Sequence, residues 1–417
     1  MGATTFVKTN KPKENVTQTR HSLKLRVDVP LLLITLSLLV FGLVMLYSAS
    51  WDASVTRDMP PYSVLMKQVR LLLVGIAAAA IISVIDYHYY KHFIVLIMAG
   101  TIALLFLVLV FGNSGSGPAR GLFSGSVQPS ELAKLVIILY LSFWLSAKKD
   151  QIRTFNFGFF PVVLILGIMG GLILLQPDLS AAVTVIFIGG ILFFLAGADW
   201  RQIVLAMASA GLIGTIGLRV YSTGANRLQE YIAGLKNLTD SSYHVMRAME
   251  AVINGGWFGV GIGQANTKYT GLPFPYTDSI FAIIVEELGL FGGSLVVILF
   301  GLLLWRGLTI AKRAPDQLGA LLASGISIWI VVEAFLNMAV IIGLFPFAGN
   351  ALPLFSAGGS NLITTLAAIG ILMNISKTQT ANEEKEGSFS AIVDLRRWNG
   401  RRSVPRARRT SGSVEQN

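Results

Sequence analysis

The sequence predicts an all-α, polytopic integral membrane protein with about ten transmembrane helices, both tails on one side and one long external loop. Three observations lead there. The 417 residues are 53% hydrophobic and only 13% charged, with a mean hydropathy of +0.66, whereas a soluble globular chain carries about a quarter charged residues. The charge is uneven: 22 of the 55 charged residues lie in the first 28 and last 42 positions, leaving 33 for the 347 between. Apolar runs of about 20 residues, the length that crosses a bilayer, recur through that middle stretch. This pattern excludes a soluble enzyme with a membrane tail, a disordered chain and a nucleic-acid binder.

The spans are expected at 29–48, 66–85, 93–111, 131–147, 157–175, 179–197, 202–220, 279–304, 318–345 and 351–375. The connection at 176–178 is so short that 157–197 must form a tight helical hairpin. The 131–147 run is unusual in carrying Glu131 and Lys134. Residues 1–28 form a basic N-terminal tail and 376–417 a basic, disordered C-terminal tail flanking the membrane domain 29–375. The first 28 residues are polar and no small-residue cleavage site follows the first apolar run, so no cleavable signal is expected. With ten spans, 23 Lys and Arg fall on the side of the tails and eight on the other, which makes both tails cytoplasmic by the positive-inside bias. The net charge of +11 is therefore topological.

Residues 221–278 form one external segment of 58 residues between the seventh and eighth spans, long enough to carry its own structure. Val245, Met246, Met249, Val252 and Ile253 recur at helical spacing after a capping Asp240-Ser241-Ser242. They read as an amphipathic helix at the outer interface or as part of a small packed external subdomain.

Ionisable groups inside spans are costly, and each is a functional candidate: Glu131, Lys134, Asp178, Arg219, Asp278, Glu286, Glu287 and Glu333. Gln128-Pro129-Ser130-Glu131 opens a helix with Ser130 as cap, and Glu131 and Lys134, three apart, share a face and can pair. That is either a neutralised pair inside the bundle or an ammonium at the mouth of an anion site. Gln176-Pro177-Asp178 tops the next hairpin. Asp278 closes the long loop, as an N-cap or as a poorly solvated and hence more basic carboxylate, suited to deprotonating a sugar hydroxyl. The turn Leu352–Asn361 offers glycines and hydroxyls, among them Ser360, to a ligand. Gly259-Val260-Gly261-Ile262-Gly263 follows no strand and lies on the outer side, so it is not read as a phosphate loop. Zero cysteines exclude disulfides and thiolate sites, and His21, His88, His92 and His244 lack metal-ligand spacing. Gln128, Asp178, Arg227, Asp278 and Ser360 all fall on the outer side, which favours an anionic, lipid-embedded substrate met there.

Five motifs in order carry a resemblance: Tyr47-Ser48-Ala49-Ser50, Gln128–Lys134, Gln176–Leu179, Thr277-Asp278 with Glu286-Glu287-Leu288-Gly289, and Leu352-Pro353-Leu354 with Gly358-Gly359-Ser360. The chain resembles the FtsW/RodA/SpoVE (SEDS) family from about residue 29 to 375, with the tails leaning toward the FtsW-like division branch. The resemblance implies a peptidoglycan glycosyltransferase that polymerises lipid II at the outer face of the bacterial cytoplasmic membrane and releases undecaprenyl pyrophosphate. It places the essential acid at Asp278, with Lys134, Arg227 and also Arg219 or Lys268 stabilising the leaving group. No dedicated metal cage is expected, though a divalent cation (Mg or Mn) could share that task. The implied partners are a class B penicillin-binding protein, division or elongation machinery and membrane lipid, the basic tails suiting anionic headgroups. Several positions diverge: Gly121-Leu122 follow Arg120 where a Trp is usual, Tyr276-Thr277-Asp278-Ser279 stands for His-Thr-Asp-Phe, and Tyr243-His244 stands for Tyr-Gln. The rival readings are a lipid II flippase or transporter, and a non-catalytic scaffold.

Overall fold

The computed structural model describes residues 27–111, 128–220 and 222–378, and every regular element among them is helical. In chain order these are α1 (Val29–Val55), α2 (Ser63–Val84), α3 (Ile94–Phe111), α4 (Pro129–Ala147), α5 (Phe160–Leu175), α6 (Leu179–Leu195), α7 (Trp200–Val220), α8 (Ser222–Lys236), α9 (Tyr243–Gly255), α10 (Ile280–Lys312), α11 (Gln317–Ile341) and α12 (Gly359–Thr378). Each expected span overlaps one helix, α1–α7 or α10–α12, with shifted bounds. Eight of the described helices are long and apolar enough to cross a membrane; α6 is apolar but shorter, and α7 does not meet that standard. Residues 1–26 and 379–417 of the tails, residues 112–127 with Arg120, residue 221 and the side chain of Arg219 lie outside the described residues.

The bundle is organised by its polar ends, because a polar group enclosed among apolar helices must find a partner. At one end Asp28 caps α1 through the Leu31 amide (3.1 Å), takes Arg306 of α10 on both oxygens (2.9 and 2.8 Å) and accepts from Ser376 of α12 (2.7 Å). Burial works against its charge, but these bonds outweigh it and hold the carboxyl below the ordinary 3.8. The α2–α3 connection joins this end: Tyr87 donates its amide to Asn374 and its hydroxyl to Asp316 (3.1 and 2.8 Å). Both ends of the described chain thus meet at one end of the bundle, called the inner end below. α12 is the most enclosed of the spanning helices, whereas large apolar side chains such as Leu73, Leu96, Phe187 and Phe291 lie exposed, as a lipid-facing perimeter requires.

Four expectations are corrected. The 221–278 segment holds a helix that was not anticipated, α8. The amphipathic helix after Ser242 exists as α9, with Ser242 as its cap, but it packs through His244, Ala248, Ala251 and Gly255 and leaves Ile253 exposed. A Cβ at Gly255 would lie 2.0 Å from the carbonyl oxygen of Val285, so closeness to α10 selects small residues there. The last span starts only at Gly359, because Asn350–Gly358 is spent on a turn. Finally, Gln128, not Ser130, occupies the cap position of α4, and Ser279, not Asp278, that of α10.

Candidate active site at the outer end

Asp278 sits at the foot of a folded loop. Ser279 N and Thr277 N both donate to Phe274 O (3.2 and 3.1 Å), which closes the Pro273–Ser279 turn before α10 begins. The Leu352–Gly358 turn is stapled onto it: Ser356 Oγ donates to Thr277 O (2.6 Å) and Ala357 N to Tyr276 O (2.9 Å). From α11, Asn337 Nδ2 donates to Asp278 O (2.8 Å) and Asn350 O (2.6 Å). Asp278 is half-buried, and Gly349 faces its carboxylate so closely that a Cβ there would lie 2.9 Å from Oδ2. Three chain segments, the 273–279 loop, α11 and the 349–358 turn, hold one acid at the outer end.

A second polar cluster joins α4, α6, α11 and α12. Lys134 Nζ lies 2.8 Å from Glu131 Oε2 and is also bonded to Glu333, and Asn361 Nδ2 donates to Glu131 Oε2 (2.8 Å). One turn further out, Gln128 Nε2 and Ser130 Oγ donate to Asp178 Oδ2 (3.0 Å each), and Gln128 N donates to Ser360 Oγ (2.9 Å). Asp178 also caps α6 through Ala181 N. Five of the predicted residues therefore meet: Gln128, Glu131, Lys134, Asp178 and Ser360.

Lys268 belongs to a third cluster. Its ammonium is buried against Glu287 Oε1 (3.0 Å) and Gly263 O (2.9 Å), and Ser48 Oγ donates to Glu287 Oε1 and Oε2 (2.6 and 2.7 Å). Glu286, the preceding residue, accepts from Asn266 N (3.0 Å), Thr267 N (3.2 Å) and the Thr267 hydroxyl. α10 is interrupted at Gly289 (φ 70°), and Glu286 O and Glu287 O accept from Val260 N and Gly261 N (3.0 Å each). The glycines mistakable for a phosphate loop thus lay the external segment on an opened helix turn; a Cβ at Gly259 would fall 2.2 Å from Glu287 O. Beside this knot, a cavity of about 720 Å³ runs between α1, α2 and residues 262–269, lined by Tyr47, Trp51, Leu65, Val69 and Lys268.

Arg227, on α8, lines a smaller cavity of about 210 Å³ with Tyr231, Ser241, Ser242 and Phe347, its guanidinium 5.3 Å from the Phe347 ring. His244 is buried beside the same Phe347, their ring centroids 4.1 Å apart. Sequence reasoning missed His244, Asn337 and Asn350 as site residues, whereas Ser356 falls in the turn whose hydroxyls it offered to a ligand. Asn337 alone left a signal, an amide inside an apolar run. Among the described residues no three His, Cys, Asp or Glu side chains gather around a common point that could hold a metal ion.

A helical, multi-pass membrane protein with a carboxylate held at one end and a buried ion cluster beside it is the class that these features define. A family model described as a cell cycle protein, FtsW/RodA/SpoVE, matches residues 29–381. The chain is 36% identical over 356 residues to a probable peptidoglycan glycosyltransferase FtsW of Geobacter sp. (strain M18), covering 84% of this chain and 96% of that one. It is 36% identical over 355 residues to stage V sporulation protein E of Bacillus subtilis (strain 168), covering 84% and 97%. Among solved structures, it matches the rod shape determining protein RodA of Thermus thermophilus with a TM-score of 0.64 at 26% identity, covering 85% of this chain and 98% of that one. It also matches, with a TM-score of 0.70 at 25% identity and 85% and 99% coverage, a chain from a study of polymerization and crosslinking by a peptidoglycan synthase complex. The chain belongs to the FtsW/RodA/SpoVE family.

Proposed function

We propose that this chain is a peptidoglycan glycosyltransferase that polymerises lipid II into glycan strands at the outer face of the cytoplasmic membrane. The observation that carries this reading is Asp278, half-buried at the outer end, with its main-chain oxygen tied to α11 by Asn337 and its loop stapled to the Leu352–Gly358 turn. A base must be held in place before substrate arrives, since orientation accounts for a large share of rate. Asp278 takes the proton from the acceptor sugar hydroxyl as that oxygen attacks the anomeric carbon of the donor from the opposite face. The new glycosidic bond forms as the bond to the phosphate oxygen breaks, and undecaprenyl pyrophosphate leaves with the electron pair.

Arg227, on the cavity beside Phe347, is assigned to the diphosphate, where a fixed cation stabilises developing charge. Lys134 and Lys268 are enclosed and each is paired with carboxylate, so their assigned task is to hold the helices and the external segment in register. Among the described residues no three acidic or imidazole side chains gather to hold a divalent cation (Mg or Mn); one bound together with the diphosphate would neutralise charge on the leaving group. The partner is a class B penicillin-binding protein that crosslinks the strands, in division in preference to elongation.

The test is purified protein with its partner and lipid II, comparing native chain with Asp278→Asn and Asp278→Ala. Both variants are expected to lose glycan polymerisation. Polymerisation at the native rate by either variant removes Asp278 from the reaction, and native protein that moves lipid II across vesicles without ever polymerising it makes the chain a transporter.

A further inference from the structure

We propose that His244 is a positioning residue for Asp278, acting through a hydrogen-bond relay that runs from α9 to Ser279 and Pro273. The inference rests on the reading of Asp278 as the base. His244 lies on the packed face of α9 and is 8% exposed, its ring 4.1 Å from Phe347 and 6.4 Å from Phe274 between centroids. Its Nε2 is 2.5 Å from Ser279 Oγ, and Ser279 Oγ is 2.9 Å from Pro273 O. The carbonyl has no proton to give, so the hydroxyl donates to Pro273 and its oxygen accepts from His244. That assignment places a proton on Nε2, as the neutral Nε2–H tautomer and the imidazolium both do. Neutrality suits the surroundings: burial, and then the charge of Arg227, push the imidazole down to about 4.

The relay passes through Ser279, the residue that follows the acid. Asn337 holds the Asp278 carbonyl from α11, and His244 holds the following side chain from α9. The backbone that aims the carboxylate is therefore clamped from both sides, and only the second clamp comes from the external segment. α9 also packs along α10, and the His244–Ser279 bond is a polar contact through which a displacement of α9 reaches the residue after Asp278.

The experiment compares lipid II polymerisation by native protein, His244→Phe, His244→Gln and Ser279→Ala, each with its partner. Phe keeps a ring between Phe274 and Phe347 but has no donor; Gln keeps a donor. His244→Phe is expected to lower kcat on the order of tenfold, as a small misplacement of a reacting group does, with KM near native. His244→Gln is expected to recover most of the loss. Ser279→Ala should match His244→Phe, and the double variant should be no slower than either, because both remove one contact. Native kcat in His244→Phe, equal loss in His244→Gln, or additive losses in the double variant would overturn the proposal. Should His244→Phe fail to fold, Ser279→Ala decides, native kcat there overturning it. An Asp278→Asn control separates the two readings: if it polymerises at the native rate the base assignment fails, whereas an inactive control beside a native His244→Phe sinks the relay alone.

Discussion

Lys134→Met tests whether the buried cluster is held by charge balance. The lysine and Glu333 side chains are each 2% exposed and Glu131 is 11% exposed, with Nζ bonded to both carboxylates. Removing one member of a buried pair costs about 3–5 kcal/mol, because the remaining charge is left without compensation. Here two carboxylates are left together, so the upper end, about 5 kcal/mol, is expected. For a chain of this size that lowers Tm on the order of 5 °C. The triple variant Lys134→Met, Glu131→Gln, Glu333→Gln leaves no ion behind, and exchanging a buried ion cluster for neutral groups is often close to neutral in stability. It is therefore expected to recover most of the lost Tm, measured by thermal unfolding in one detergent. If the single variant melts with the native protein, or the triple melts as low as the single, the charge-balance argument is wrong. Polymerisation by the recovered triple variant then separates two roles: native activity confines Lys134 to holding helices together, and lost activity returns it to the reaction.

Two further outcomes are expected. Gly349→Ala places a methyl 2.9 Å from Asp278 Oδ2, and the carboxylate, being the end of a side chain, swings away at little cost to the fold; polymerisation should fall on the order of a hundredfold while Tm stays native. At the inner end, His88 sits between Asp86 (2.7 Å) and Asp316 (2.9 Å). Partial burial lowers its pKa, but the bonds and charges of the two aspartates outweigh this and raise it above 6.5. A raised pKa contributes stability that is complete below about 6.5, the unfolded value, and is lost as pH rises through the folded value. Tm of the native protein should therefore decline above that pH, by a modest amount since the pair is partly solvated, and His88→Gln should flatten the decline.

What was legible in the sequence follows from distance along the chain. The spans were readable because an apolar run is a local pattern, and the Glu131–Lys134 pair because residues three apart share a helix face. Glu333 could be singled out as a carboxylate in a span, but its bond to Lys134 is tertiary. α8 was not foreseen because it is too polar to read as a span. Apolar periodicity picks Val245, Met246, Met249, Val252 and Ile253 and so does not reveal the buried positions of α9, His244, Ala248, Ala251 and Gly255, which closeness to α10 helps select. Lys268 was read as a cation for the leaving group because it lies in an external segment. Nothing local reveals that this segment folds back onto an interrupted helix turn and commits the ammonium to Glu287.

Glu286 and Glu287 show the same limit from the other direction. Side by side in sequence, they invite reading as one acidic site, yet successive helical residues point about 100° apart. Glu286 receives the amides of Asn266 and Thr267, and Glu287 receives Ser48 and Lys268. Each carboxylate is thus filled by a different partner set, one within the external segment and one bridging it to α1. Neither is poised to take a proton from a sugar. By that route, as well as by its own placement, Asp278 remains the proposed base, and these two residues hold the 260–268 stretch that precedes its loop.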